Sequence, residues 1–220
     1  MRMQSFSHLP SHLIQSRLRG LYVITDGVSA QAHLKMANAA CEGGAGVVQL
    51  RAKNLSLRDA LQVALQIRQI TIAAKVLFIV NDRIDLALAS KADGVHLGDD
   101  DIPANIARQI MGRHAVIGVS ASTTELADQA ATDGATYLGT GAVFATSTKT
   151  DAGAPIGLEQ LHKIAAHTNL PVAAIGGIDS TNIQSVLHSG AQMACVISAI
   201  SKAASQNEMV KRVIELAKYF

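Results

Sequence analysis

The chain has 220 residues, of which 49% are hydrophobic and 16% are charged, with a formal net charge of +2. This length is sufficient for one sizeable core, and we interpret the chain as a single domain. Tryptophan is absent, aromatic residues make up 3%, and lysine and arginine form no run, so the composition excludes the stacking platforms and basic stripe typical of nucleic-acid-binding proteins.

The first 19 residues contain arginine and serine but no acidic residue. Their apolar stretches are too short for a signal-peptide core or a membrane span, so we expect neither secretion nor membrane insertion. We predict that residues 1–19 form a helical extension that packs on a domain formed by residues 20–220. Cys41 and Cys195 lie far apart in apolar surroundings, which is typical of buried thiols in a reducing compartment. We therefore expect a cytoplasmic protein.

Short β-rich runs alternate with amphipathic segments along the rest of the chain. The runs predict eight strands, at 21–25, 46–51, 76–81, 93–97, 115–120, 136–141, 171–177 and 194–200. The other segments predict helices at 30–42, 83–90, 103–111, 123–132, 157–167, 180–189 and 206–219, and one from Leu57 onward. Eight such units in this length predict an α/β fold, a compact (β/α)8 TIM barrel. Right-handed crossovers then place the C-terminal ends of all strands on one rim.

Two local patterns refine the helices. In the helix that starts at Leu57, the pattern predicts a single apolar face formed by Leu57, Ala60, Leu61, Ala64 and Leu65. Glycines follow several helices, and we expect them to supply left-handed C-terminal caps in the segments 42–46, 92–94, 133–135 and 189–191.

Polar side chains follow three of the predicted strands at the point where each strand ends. They are Gln49, Arg51 and Lys53, then Asn81 and Asp82, and then Asp99, Asp100 and Asp101. Charge at the end of a buried strand is costly unless it faces a solvated site or binds a ligand. Because these ends share one rim, the sequence predicts a functional site there.

Two of these carboxylates favour a metal. Asp82 and Asp101 follow neighbouring strands without a histidine or cysteine pattern, and oxygen ligands of this kind suit Mg²⁺. Arg51, Lys53 and Lys149 would then bind the remaining oxygens of a diphosphate. Ordinary surface ion pairs, which contribute little, are the alternative.

The glycines that end strand 7 predict a second anion site. Gly176 and Gly177 precede a helix whose N-cap candidates are Asp179, Ser180 and Thr181, while Ser198 closes strand 8. Barrel loops after strands 7 and 8 commonly hold a phosphate, although a turn without a ligand is the alternative. A phosphate pocket beside a metal-assisted diphosphate pocket suits a transferase whose diphosphate leaves.

Seven segments, in order, resemble the thiamine-phosphate synthase (thiamine-phosphate pyrophosphorylase) family. They are VVQLRAK, FIVND, ADGVHLGDDD, IGVSAST, TYLGTGAVFATSTKTDAGAPIG, VAAIGGI and VISAI. The resemblance implies a (β/α)8 enzyme that joins 4-amino-5-hydroxymethyl-2-methylpyrimidine diphosphate to 4-methyl-5-(2-phosphoethyl)thiazole and releases pyrophosphate. It also implies an Mg²⁺-assisted dissociative substitution, with small phosphorylated heterocycles as partners. Separately, we expect a homodimer.

The resemblance further implies roles for individual residues. The pyrimidine diphosphate would be bound by Gln49, Leu50, Arg51, Ala52, Lys53, Asn81, Ser120 and Lys149. The thiazole phosphate would be bound by Thr146, Ser147, Thr148, Gly177, Ile197 and Ser198. Asp82 and Asp101 would hold Mg²⁺, and Arg51, Lys53, Ser120 and Lys149 would be catalytic. The chain has GDDD at 98–101 where the family usually has GQED, and GAVFATSTK at 141–149 where it has GPxFxTxTK.

Two other functions stay open at this point. A thiazole-tautomerase-like isomerase would share the fold and the thiazole-phosphate pocket but would not need the diphosphate cluster. A non-catalytic sensor of phosphorylated metabolites would need the phosphate pocket without a metal. The single His96 in strand 4 is interpreted as a packing or positioning residue, since the implied chemistry requires no proton transfer.

Overall fold

A computed structural model describes residues 16–146 and 153–220 and confirms the TIM barrel. The strands are Gly20–Thr25 (β1), Val47–Leu50 (β2), Leu77–Asn81 (β3), Gly94–Leu97 (β4), Val116–Ser120 (β5), Tyr137–Thr140 (β6), Val172–Ile175 (β7) and Met193–Val196 (β8). They pair in parallel and in chain order, and β8 closes on β1.

The helices pack around the outside of the barrel. They are Ala30–Glu42 (α1), Leu57–Ala74 (α2), Ile84–Ser90 (α3), Ala104–Met111 (α4), Thr124–Thr132 (α5), Gly157–His167 (α6), Ile183–His188 (α7), Ser198–Ser201 (α8) and Gln206–Ala217 (α9). Across the two described ranges, no helix combines the length and the apolar character needed to cross a membrane.

Strand alternation divides the core into two layers. In β1, Leu21 and Val23 point outward into the layer beneath the helices, whereas Tyr22 and Ile24 point into the barrel. Successive side chains of a strand face opposite sides, so one short strand supplies both layers. Of the predicted N-terminal extension, residues 1–15 lie outside the described residues, and the extension's helical form stays a prediction. Leu18, in the turn before β1, is buried in the inner layer.

The predicted apolar face of α2 is wrong in part. Leu57 and Leu65 are 51% and 38% exposed, and the buried face includes Val63, Ile67 and Arg68 in addition to Ala60 and Ala64. Arg68 belongs to the buried face because its guanidinium donates two hydrogen bonds to the buried Asp93 carboxylate, at 2.9 and 3.1 Å. A paired charge can be buried where an unpaired charge cannot.

The end of the barrel differs from the prediction at two elements. Strand β8 stops at Val196, and the chain enters α8 at Ser198 instead of continuing as a strand to residue 200. Helix α7 begins at Ile183, after Asn182, so the three N-cap candidates are wrong. The Asp179 carboxylate instead accepts hydrogen bonds from the Thr181 N–H and hydroxyl, which closes a local turn.

The predicted glycine caps hold in three of the four segments. Gly44, Gly134 and Gly190 have φ of +88°, +84° and +97°, whereas Lys91 supplies the left-handed residue after α3 in the segment that contains Gly94. Gly94 lies in β4, where an added Cβ would fall 1.8 Å from the Val116 carbonyl oxygen. That position therefore requires glycine for close strand approach rather than for a cap.

Candidate active site

The C-terminal ends of the strands surround a cavity of about 500 Å³. It is lined by most of the predicted site residues, namely Gln49, Arg51, Lys53, Asn81, Asp82, Asp101, Ser120, Thr146, Gly177, Ile197 and Ser198. The side chain of Leu50 is buried in the outer layer and Ala52 packs against that layer, so neither side chain lines the cavity. Ser147, Thr148 and Lys149 lie outside the described residues.

The two predicted metal-binding carboxylates meet beside β3 and β4. Asp82 adopts a left-handed backbone conformation, with φ of +61°, and its N–H donates to the His96 carbonyl oxygen at 2.8 Å. The Asp101 carboxylate accepts a hydrogen bond from the Gly98 N–H at 2.7 Å. Partial burial and the nearby Asp82 carboxylate raise the pKa of Asp101. The pair therefore concentrates negative charge that a cation would relieve.

Basic side chains flank this carboxylate pair. Lys53 Nζ lies 2.5 Å from Asp82 Oδ2, and Arg51 Nη1 lies 3.5 Å from Asp26 Oδ1. Both cations are partly exposed, so these pairs are weak and leave Arg51 and Lys53 available to an anionic ligand. Asp26 was missed in the sequence analysis, although it follows β1 directly and carries the same signal of charge at a strand end.

The glycine loop after β7 forms the opposite side of the cavity. Gly176 and Gly177 have φ of +105° and +64°, and an added Cβ on Gly177 would lie 2.6 Å from the Ala145 carbonyl oxygen. The Phe144 N–H donates to the Gly176 carbonyl at 3.1 Å, which ties this loop to the segment after β6. The cavity wall here thus brings Thr146, Gly177 and Ser198 together.

A hydrogen-bonded chain of side chains crosses the cavity floor. The Gln49 amide nitrogen donates to Tyr22 Oη at 2.7 Å, and Tyr22 Oη lies 2.8 Å from Tyr137 Oη. Tyr137 Oη lies 3.0 Å from His96 Nδ1, and His96 Nε2 lies 3.3 Å from Ser120 Oγ. Tyr137 was missed because nothing in strand 6 of the sequence marks its contact with strands 1 and 4.

Two glycines make room for this floor. An added Cβ on Gly118 would lie 2.2 Å from Tyr137 Cζ and 2.5 Å from His96 Nδ1. An added Cβ on Gly139 would lie 2.6 Å from His96 Cε1. The His96 and Tyr137 rings, stacked with centroids 5.5 Å apart, therefore occupy space that any larger residue would take.

The two cysteines are free, as predicted, and neither has the character of a nucleophile. Cys195 is buried and lines the cavity, whereas Cys41 lies in α1 and is only half-buried, so the predicted burial holds for Cys195 alone. Burial raises the pKa of both thiols, that of Cys41 to about 12. A neutral thiol is a poor nucleophile, so neither cysteine is suited to form a covalent intermediate.

Comparison with known proteins identifies the family. The sequence model of the family described as thiamine monophosphate synthase matches residues 21–200. The chain belongs to this family. The thiamine-phosphate synthase of Moorella thermoacetica is 46% identical over 183 residues, which cover 83% of this chain and 87% of that protein. The enzyme of Haloarcula marismortui is 50% identical over 167 residues, covering 74% and 79%.

A solved structure supports the same conclusion. Thiamine phosphate pyrophosphorylase from Pyrococcus furiosus superposes with a TM-score of 0.84 at 40% identity, covering 94% of this chain and 96% of that one. The resemblance seen in the sequence is therefore confirmed. The first two relatives are named thiamine-phosphate synthases and the third a thiamine phosphate pyrophosphorylase, and the comparisons support neither the isomerase nor the sensor.

The packed floor yields a first prediction. Gly118→Ala should lower the unfolding free energy by about 1–3 kcal/mol, because the new methyl group collides with Tyr137 and His96. Gly98→Ala is the control, since its Cβ would come no nearer than 3.4 Å to Asp101 Oδ2. Thermal and urea denaturation of both variants measures the effect. Equal stability of the Gly118→Ala variant and the wild type would contradict the packing.

Proposed function

We propose that this chain is a thiamine-phosphate synthase, a transferase that joins the pyrimidine diphosphate to the thiazole phosphate and releases pyrophosphate. The observation that carries the proposal is one cavity with two chemically different sides. Carboxylates and cations follow β2–β4, and a glycine loop lies between β7 and α7. Membership of the synthase family supports the same reaction.

The diphosphate belongs on the charged side. The planar guanidinium group of Arg51 can bind two diphosphate oxygens at once, and the Lys53 ammonium group supplies a mobile positive charge. The ion pairs of these residues with Asp26 and Asp82 are weak, so a phosphate can replace the carboxylates. Gln49 and Asn81 line the adjoining wall and would hold the pyrimidine ring, while Ser120 would lie where the ring meets the diphosphate. Lys149, outside the described residues, is proposed to act with Arg51. Leu50 and Ala52 would take part through their backbones.

The Asp82 and Asp101 pair fits Mg²⁺. Both are oxygen donors with mutually repelling charge, and both line the cavity beside Lys53. When bound, the ion would supply charge neutralisation on the leaving diphosphate. Asp82 and Asp101 would hold it, while Arg51 and Lys53 would orient the same oxygens.

The thiazole phosphate belongs on the glycine side. Gly177 has a positive φ and no side chain, so its backbone leaves room for a phosphate to approach closely. Ser198 adds a hydroxyl donor at the start of α8. Thr146 and Ile197 complete the described wall, and Ser147 and Thr148 are proposed to join it. Placing the two phosphates on opposite sides of the cavity directs the reacting carbon and nitrogen toward its centre.

We propose a dissociative substitution. The amino group of the pyrimidine donates electrons toward the exocyclic carbon, so the bond to the diphosphate can break before the thiazole nitrogen attacks. The residues then have three tasks, namely to bind the departing diphosphate, to orient the rings and to exclude water. The buried neutral thiol of Cys195 is consistent with a route that needs no enzyme nucleophile. A homodimer and a cytoplasmic location stay predictions from the sequence.

A second prediction tests the reaction and its metal. Wild-type protein should form thiamine phosphate and pyrophosphate only with both substrates and Mg²⁺. Asp82→Ala should lower turnover by about two orders of magnitude, because one oxygen ligand of the metal is lost. Its affinity for Mn²⁺, measured by electron paramagnetic resonance, should fall as well.

Asp85→Ala is the matched control, since Asp85 is an exposed carboxylate paired with Arg83. This variant should keep both turnover and metal affinity. Wild-type metal affinity in a folded Asp82→Ala protein would contradict the metal assignment, and wild-type protein without product would contradict the proposed function.

A third prediction separates the two sides of the cavity. Arg51→Ala should mainly lower kcat, because the leaving diphosphate loses a donor, and Arg58→Ala, an exposed residue of α2, is its control. Gly177→Val should mainly raise the KM for the thiazole phosphate, because its side chain collides with the Ala145 carbonyl oxygen and displaces the loop proposed to bind the phosphate. Steady-state kinetics with each substrate varied distinguish the effects. Identical changes in both variants would argue against two separate sides.

A fourth prediction concerns the order of bond breaking. A trifluoromethyl group in place of the pyrimidine 2-methyl group withdraws electrons and should slow a reaction that develops positive charge on carbon. Each tenfold loss of rate corresponds to about 1.4 kcal/mol of barrier. Single-turnover rates, taken after the analogue has been shown to bind, provide the measurement. An analogue rate close to that of the natural substrate would rule out the dissociative route.

A further inference from the structure

The chain across the cavity floor is buried and must satisfy its own hydrogen bonds. Tyr22, Tyr137 and Gln49 are 1%, 0% and 2% exposed. Each tyrosine hydroxyl has one proton to donate, and its oxygen can accept a hydrogen bond. Burying either the donor or the acceptor without a partner costs free energy. Here each hydroxyl lies between two polar neighbours, at 2.7 and 2.8 Å for Tyr22 and at 2.8 and 3.0 Å for Tyr137.

This arrangement gives the chain a direction. The Gln49 amide nitrogen donates to Tyr22 Oη. With a neutral His96, the arrangement in which no proton of the chain lacks an acceptor has Tyr22 donating to Tyr137 and Tyr137 donating to His96 Nδ1. In that arrangement the neutral His96 ring carries its proton on Nε2 and donates to Ser120 Oγ, 3.3 Å away. Ser120 and Gln49 both line the cavity, so in this arrangement the Ser120 hydroxyl proton and the Gln49 carbonyl oxygen are the groups that the chain offers to a ligand.

Reversing Gln49 requires every member of the chain to reverse. If the Gln49 oxygen faced Tyr22, both tyrosine protons would point the other way, His96 would carry its proton on Nδ1, and Ser120 would donate to His96. A partial reversal would place two lone pairs or two protons against each other in a buried site, which is unfavourable. The two ends of the chain are therefore coupled.

We propose that Tyr22, Tyr137 and His96 form a positioning relay that makes the cavity selective for a 4-aminopyrimidine over a 4-oxopyrimidine. This inference rests on the proposed function. A phosphate near Ser120 favours the hydroxyl as a donor, and the relay then presents the Gln49 oxygen to the ring. That oxygen accepts from an amino group and opposes an oxo group. The anion at one end thereby selects the ring substituent at the other.

The test compares two unreactive ligands, the monophosphate of 4-amino-5-hydroxymethyl-2-methylpyrimidine and its 4-oxo counterpart. Calorimetry with Mg²⁺ present should show that the wild-type protein binds the amino compound about tenfold more tightly or better. Tyr137→Phe and Tyr22→Phe each interrupt the relay and free Gln49 to turn, so the preference should fall to about threefold or less. A merely structural role would weaken both ligands alike and leave their ratio unchanged.

Tyr219→Phe is the matched control, because Tyr219 is an exposed tyrosine at the C-terminal end of the chain. It should retain the wild-type preference. Retention of that preference in both relay variants, or a wild-type protein without preference, would overturn the relay while leaving the synthase reaction intact. A wild-type protein that binds neither compound and forms no product would overturn the relay and the proposed function together.

Discussion

All eight strands run parallel in one closed barrel, so each strand brings its last side chains to the same rim. This constraint gathers residues that are distant in the chain, such as Arg51, Asp82 and Gly177, around one cavity. It also separates them, because strands 2–4 and strands 7–8 occupy opposite sides of the barrel. A reaction between two phosphorylated rings needs this combination of a shared cavity and separate anion sites.

The same closure creates a second demand, since side chains that point inward below the rim are buried. Most of them are apolar, but Tyr22, Gln49 and Tyr137 carry polar groups into that layer. Their hydrogen bonds to one another satisfy those groups, and the missing side chains of Gly118 and Gly139 provide the space. The cavity floor is therefore closely packed, and its buried polar groups are hydrogen-bonded to one another.

Residues at strand ends could be predicted from the sequence because charge directly after an apolar run is a local signal, as at Arg51 and Asp82. Tyr137 and Gly118 could not, because their importance depends on which strands meet across the barrel. The apolar face of α2 was partly wrong because Arg68 is buried through Asp93, which is 25 residues away in the chain. Aspartate is a residue type preferred at N-caps, but the Asp179 carboxylate accepts a hydrogen bond from the Thr181 N–H in a local turn instead.

The central claim is that one cavity holds pyrophosphate and Mg²⁺ on its carboxylate side and the thiazole phosphate on its glycine side. The most direct measurement is a crystal structure of the protein with thiamine phosphate, pyrophosphate and Mg²⁺. The account predicts a metal bound by Asp82 and Asp101, pyrophosphate against Arg51, and the thiamine phosphate group at Gly177 and Ser198. Density for the metal and pyrophosphate away from Asp82 and Asp101, or for both anions on one side of the cavity, would contradict it.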